Sequence, residues 1–244
     1  MVVLTDRATR DGDILARKLG AFVPLSQVER AALADFSREA STIAPAHDLL
    51  CQGSGPSPAW VLLEGMACRL IDHGGRRQIV ALMLPGDMYG VCAADQRVLD
   101  HTIHTLSRCR IARLDRTRLE ALAASTPAIH EALRCDERVQ EAILRTWLFN
   151  LGQMMAPERL AHFLCELAHR LGDLGLVYGT GGFRLPISQE AVGAIIGVTR
   201  VQAGRALQRL RSERLIDFHG GVVFVPDFAR LAQFAQFDPA YLRP

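Results

Sequence analysis

The sequence predicts an α+β protein made of a small β-sandwich or barrel, a long helix, and a winged helix-turn-helix. Three observations predict it. Short β-like runs alternate with turn residues between 46 and 118, apolar residues recur at helical spacing over 127–151, and two short helices with a glycine turn occupy 188–212 between hairpin-like stretches.

At 244 residues the chain is long for one compact domain and suits two. A hydrophobic share of 49% with 22% charged residues describes an ordinary soluble globular protein. No apolar run approaches the roughly 20 residues that span a bilayer. The opening MVVLTDRATRDGD lacks the basic-then-apolar layout of a signal peptide, so a cytosolic location is expected. The six cysteines at 51, 68, 92, 109, 135 and 165 are never closer than 17 residues, which leaves no CxxC pair and no disulfide framework. They read as isolated buried thiols.

Residues 14–45 read as a helical lead-in, with Ser26-Gln27-Val28-Glu29 as a capping box. Strand-like runs follow at Trp60–Leu63, Ala67–Ile71, Gln78–Leu84, His101–Leu106 and Cys109–Leu114, each stopped by Gly, Asp, Pro or Ser. From 127 to 151 apolar residues recur at Ile129, Leu133, Val139, Ile143, Leu144, Trp147, Leu148 and Leu151. A helix this long, apolar on more than one side, calls for a partner helix besides its own domain. Ala156-Pro157-Glu158 opens another helix that runs to Leu171. Leu176–Leu185 reads as a hairpin turned at Gly179–Gly182, and Leu215–Val225 as one turned at His219-Gly220-Gly221. Asp227 opens a last helix carrying Phe228, Leu231, Phe234 and Phe237.

The segment 188–212 carries the function. Ser188 and Thr199 are of the type that caps helices, Gly197 sits in the turn, and Val192, Ile196, Val198, Ala203, Ala206 and Leu207 fall where two crossed helices touch. Gly193 is small where the second helix crosses. Arg200, Val201, Gln202 and Arg205, then Arg209 one turn on, face outward from the second helix, as residues that reach base edges in a major groove do. Net charge is only +2, but 199–214 holds five arginines against Glu213 alone, a phosphate-binding footprint.

The runs Trp60–Arg69, Gly75–Gly90, Glu158–Ala168 and Ser188–Ile216 together resemble the Crp/Fnr superfamily of transcription regulators. The resemblance implies an N-terminal cyclic-nucleotide-binding-type β-roll with its lead-in over 1–118, a dimerisation helix and hinge over 119–155, and a winged helix-turn-helix over 156–244. It further implies a homodimer on a pseudo-palindromic double-stranded DNA site, with RNA polymerase as a partner. Thr199, Gln202 and Gln189 would position phosphates, and Arg205 matches the family arginine that reads guanine. Val201 stands where the family usually has a glutamate that accepts from cytosine. Tyr89, Arg145 and Trp147 stand where family ligands sit. The chain departs from the cyclic-nucleotide binders at Gly90-Val91-Cys92, where they have Gly-Glu-Leu, and near Leu99-Asp100, where they place the phosphate-binding arginine. A phosphate facing Asp100 without a cation is disfavoured, so cyclic AMP is not expected as effector. No cysteine precedes Cys51, so the iron–sulfur type of control is not expected either. No cofactor is assigned.

Two other constellations compete. His101 and His104, three apart on a strand, point to opposite faces and cannot share an ion, which leaves a single haem-ligating histidine open. His162, Cys165, Glu166 and His169 share one helical face and would suit a hydrolytic zinc enzyme. With Leu160, Phe163, Leu164, Leu167 and Leu171 opposite, that face reads instead as the wet side of an amphipathic helix, and no enzyme is expected. A third reading, a non-DNA-binding adaptor with a degenerate helix-turn-helix, is opposed by the intact Arg200 and Arg205.

Overall fold

The computed structural model describes residues 14–55, 57–91, 98–178 and 181–243. The chain packs as two units. Residues up to Ile71 with Leu82–Arg138 form the first, and Asp72–Ala81 with Val139–Arg243 the second.

The first unit opens with helices α1 (Ile14–Gly20) and α2 (Gln27–Ala34). The capping box at the head of α2 is complete. The Glu29 amide donates to Ser26 Oγ at 3.3 Å, and Glu29 Oε2 accepts from the Ser26 amide at 2.6 Å. The helical lead-in ends earlier than 45, because Ala40–Ile43 is a strand, β1. It pairs antiparallel with β8 (Cys109–Leu114), from Ala40↔Ala112 to Ile43↔Cys109. Four residues without polar–apolar alternation carry little strand signal of their own; the partner 66 residues on decides it.

β1 and β8 belong to a sheet of order β1-β8-β3-β6, with β3 at Ala59–Glu64 and β6 at Met88–Tyr89. A second sheet has the order β2-β7-β4-β5, with β2 at Asp48–Leu50, β4 at Ala67–His73, β5 at Arg76–Met83 and β7 at Thr102–Thr105. Trp60, Leu62, Tyr89 and Cys109 from the first sheet meet Ala67, Met83 and Ile103 from the second, with Leu99 between, in one buried cluster. This is a β-roll with its core between two layers. Gly74 and Gly75, both at positive φ, make the two-residue turn between β4 and β5.

The turn at Pro85-Gly86-Asp87 does more than reverse the chain. Asp87 accepts from the Leu84 amide at 2.7 Å and also holds the ammonium of Lys18 from α1. Asp136 binds the same ammonium at 2.9 Å. All three side chains are buried. Burial alone would push the Lys18 pKa down, but Asp136 and Asp87 outweigh it and hold the ammonium above its ordinary value. Gly86 is required here, since its φ is +89° and a Cβ would come within 2.8 Å of the Lys18 Cβ.

Helix α3 (Arg116–Ser125) leads into α4 (Pro127–Gln153), whose 27 residues span about 40 Å. One stripe of α4 is buried, through Ile129, Ala132, Cys135, Val139, Ile143, Trp147 and Asn150, whereas Leu144, Leu148 and Phe149 are exposed. Of the described cysteines, Cys68, Cys109, Cys135 and Cys165 are buried and Cys51 is exposed, while Cys92 lies outside the described residues.

In the second unit α5 (Ala156–Asp173) is followed by β9 (Gly182–Arg184), α6 (Gln189–Ile196) and α7 (Arg200–Ser212). Then come β10 (Asp217–His219), β11 (Val222–Phe224) and α8 (Phe228–Phe234). The expected hairpin over 176–185 is reduced to one bridge, Tyr178↔Gly182; Gly179 and Thr180 of its turn lie outside the described residues. β9 pairs instead with β11, in the order β10-β11-β9, with the fully buried Phe183 opposite Val223. The β10–β11 hairpin turns at Gly220-Gly221, both at positive φ. Phe237 lies beyond the end of α8 and is buried.

Replacing Lys18 with Met would remove the ammonium that Asp87 and Asp136 share while both carboxylates stay buried. The expected result is a loss of about 3–5 kcal/mol in urea denaturation. A change of under about 1 kcal/mol would show that the pair carries little of the stability of this unit.

Candidate nucleic-acid interface

Each helix of the 188–212 segment begins on a side-chain cap. Ser188 Oγ accepts from the Ala191 amide at 3.1 Å. Thr199 Oγ1 accepts from the Gln202 amide at 3.3 Å, while Gln202 Oε1 accepts from the Thr199 amide at 3.0 Å, a reciprocal box. Gly197 closes α6 in the left-handed conformation, φ +67°. Gly193 lies against the turn: a Cβ there would sit 2.7 Å from the Val198 carbonyl oxygen. Val192, Ile195 and Ile196 of α6 are buried, as are Ala203, Ala206, Leu207 and Leu210 of α7. The crossed pair therefore has one packed side and one free side.

Gln189, Thr199, Arg200, Val201, Gln202, Arg205 and Arg209 all lie on the exposed side. They are not equivalent. Arg200 and Arg205 make no hydrogen bond or ion pair among the described residues, so both guanidinium groups are free to meet a ligand. Arg209 is engaged with Glu213 at 2.9 Å and lies 5.7 Å over the Phe234 ring. Val201 is 64% exposed, an apolar side chain on the leading turn of the helix.

Helix α5 packs differently from the sequence reading. His162, Cys165 and Glu166 are buried, so this face is not a wet one. Phe237 and Tyr241 from the end of the chain cover it: the His162 ring stacks on Tyr241 and meets the edge of Phe237, with centroids 5.9 and 5.1 Å away. Glu166, with no exposed surface, accepts from Trp147 Nε1 at 2.8 Å, Tyr241 Oη at 3.0 Å and Arg170 Nη1 at 3.1 Å. Burial pushes His162 down to about 4 and the Cys165 thiol up to about 12, so the ring is neutral and the thiol unreactive near neutral pH. Among the described residues no three His, Cys, Asp or Glu side chains stand together as a metal set.

The three residues placed near a family ligand fall in different settings. Tyr89 is buried in the β-roll, stacked on Trp60 at 5.6 Å. Trp147 is committed to Glu166 and to the edge of Phe163, 6.0 Å away, and Arg145 is exposed and paired with Glu141 at 3.3 Å. In the β-roll the His104 Nδ1 meets Asp48 and the His101 Nδ1 meets Asp100, both at 2.6 Å. The Asp100 carboxylate is not buried against the roll interior but 75% exposed. Sequence reasoning passed over Arg69, a cation on an inward-facing strand position. The alternation Ala67-Cys68-Arg69 on β4 was the signal that could have found it.

A family model for a Crp-like helix-turn-helix domain matches residues 158–234, and one for a cyclic nucleotide-binding domain matches 41–126. The chain belongs to the Crp/Fnr superfamily of transcription regulators. Over 222 residues this Crp/Fnr chain is 24% identical to the transcriptional activator protein FnrA of Stutzerimonas stutzeri, covering 88% of the chain and 89% of that relative. It is 31% identical over 168 residues to the transcriptional activator protein FnrL of Cereibacter sphaeroides, covering 67% and 66%. The solved structure of FixK2 from Bradyrhizobium japonicum superposes with a TM-score of 0.69 at 21% identity, covering 80% of this chain and 96% of that one, and shares the fold. No described helix of this Crp/Fnr protein is long and apolar enough to cross a membrane.

His162 gives a pH test of the packing around α5. Its pKa drops from about 6.5 unfolded to about 4 folded, so its contribution is fully present above pH 6.5 and is lost as pH falls toward 4. Wild type should lose up to about 1.4 kcal/mol per pH unit in that window relative to His162→Phe, measured by denaturation at each pH. Parallel curves for the two proteins would show that the ring is not buried neutral.

Proposed function

We propose that the chain is a homodimeric, sequence-specific DNA-binding regulator that places one α7 per protomer in successive major grooves of a pseudo-palindrome. The half-sites would be centred about one helical turn, roughly 34 Å, apart. The observation that carries this reading is the pair Arg200 and Arg205, exposed and unpaired on the first turns of a capped helix whose opposite side is packed. Sequence reading divides the labour as sensor 1–118, dimerisation helix and hinge 119–155, and DNA-binding domain 156–244. Dimerisation is supported by Leu144, Leu148 and Phe149 on α4, which are 53%, 71% and 60% exposed while the opposite stripe is buried. The protein acts by binding, with RNA polymerase as a further partner, in the cytosol. Control by cyclic AMP is disfavoured by Val91 where a ribose-binding glutamate would stand, and control by an iron–sulfur cluster by cysteines that are dispersed and mostly buried.

Light scattering should give a dimer for wild type and a monomer for Leu148→Glu. DNA affinity should fall steeply with salt, because arginines displace counterions from phosphates. A wild-type monomer, or binding indifferent to salt, would sink the reading.

Val201 sets the second test. It offers no acceptor to cytosine N4, and its methyl groups suit the C5-methyl of thymine. Arg205 should still read a guanine through O6 and N7, with Thr199, Gln202 and Gln189 placing phosphates. In vitro site selection with Val201→Glu should gain a preference for G·C at one position per half-site, by about 1–3 kcal/mol. An unchanged consensus would mean that Val201 only packs and that Arg200, Arg205 and DNA shape carry specificity.

A further inference from the structure

The second unit holds a small cavity to which no residue of α7 contributes. It lies between the end of α4 (Asn150, Leu151), the first turns of α5 (Arg159, His162) and the end of α6 (Ile195, Ile196). Its volume of about 20 Å³ leaves room for one small guest. The polar lining is deep: His162 is 4% exposed and Asn150 6%. Arg159 Nη1 donates to the Leu151 carbonyl at 3.3 Å, which keeps the guanidinium at the cavity wall.

The Arg159 Nε and the His162 Nδ1 are each buried without a hydrogen-bond partner among the described residues. Buried polar groups are normally paired, because an orphan keeps the cost of leaving water with nothing in return. Arg159 also lacks a counter-charge. It makes no ion pair among the described residues, and burial pushes its pKa down with no carboxylate acting against the shift. No acidic residue lines the cavity. Glu166, one turn beyond His162, already accepts from Arg170 and is not part of the lining. Arg159 Nε and the Asn150 amide are donors, and His162 Nδ1 donates in the tautomer that carries its proton there. Donors around one uncompensated cation call for an acceptor that bears negative charge. The space is too small for a phosphate or an organic acid. A halide is a single atom, carries one charge and accepts from several directions at once.

We propose that this cavity binds one chloride ion per protomer, held by Arg159, His162 and Asn150. The bound ion ties the end of α4 to α5 and to the last turn of α6. The site uses none of the exposed residues of α7, so a failed binding test here leaves the DNA reading standing.

Chloride is the probe, followed by the NMR linewidth of the chlorine nucleus with the full chain present and gluconate holding ionic strength constant. Wild type should broaden the line saturably at millimolar concentrations, and bromide should reverse the broadening. Arg159→Lys, which keeps the charge but loses Nε, should weaken chloride about tenfold. His162→Phe keeps the aromatic packing against Phe237 and Tyr241 and should weaken it several-fold. Arg113→Met removes an exposed cation of β8 and should bind as wild type, which separates the cavity from ions at the surface. Exchanging gluconate for chloride should raise the urea midpoint of wild type more than that of His162→Phe. Crystals grown in bromide should show an anomalous peak between Arg159 and His162. Absence of saturable broadening, wild-type affinity in Arg159→Lys or His162→Phe, or an equal loss in Arg113→Met would overturn the assignment. So would a bromide crystal with only a water in the cavity.

Discussion

One carboxylate with no exposed surface organises the DNA-binding unit. Glu166 receives an indole N–H from α4, a guanidinium from its own helix and a phenol from the end of the chain. An unpaired charge at this depth would be prohibitive, so the three donors must all be in place for α5 to sit where it does. Helix α5 then packs against α6, α7 and α8. The free side of α7 is therefore presented by an arrangement whose anchor lies in the interior, not on the exposed side that carries Arg200 and Arg205.

The first unit meets the same physical problem with the signs reversed. There the central ion is a cation, Lys18, and two carboxylates from a β-turn and from α4 surround it. In both units a buried charge joins elements distant in sequence, and the geometry that satisfies it admits few alternatives. Apolar contacts fill the space between them and tolerate more exchange than these polar junctions do.

What could be read from the sequence was what local chemistry decides. Ser26, Ser188 and Thr199 cap helices within three residues of themselves, Gly193 and Gly197 answer to a turn beside them, and Gly220-Gly221 closes a two-residue loop. Of these positions Ser188, Gly193, Gly197 and Thr199 carry the helix-turn-helix. What was misread depends on partners far along the chain. His162 and Glu166 looked solvated because Phe237 and Tyr241, about 75 residues on, supply their cover. β9 looked like half of a local hairpin because its true partner, β11, lies some 40 residues later. Arg69 escaped notice because a charged residue in a strand is assumed to face water, and only its register against Ile103 turns it inward.

The reciprocal box at the head of α7 has a consequence for genetics. Thr199 and Gln202 already satisfy each other's backbone groups in the protein alone. Substitutions there weaken the start of the helix whether or not DNA is present. In a cell such alleles would be met first as reduced protein abundance, since proteases sample the loosened state. A screen scored only by promoter output would file them with the Arg205 alleles, although the two classes fail for unrelated reasons. Measuring steady-state protein level beside output separates a lost surface cation from a lost scaffold.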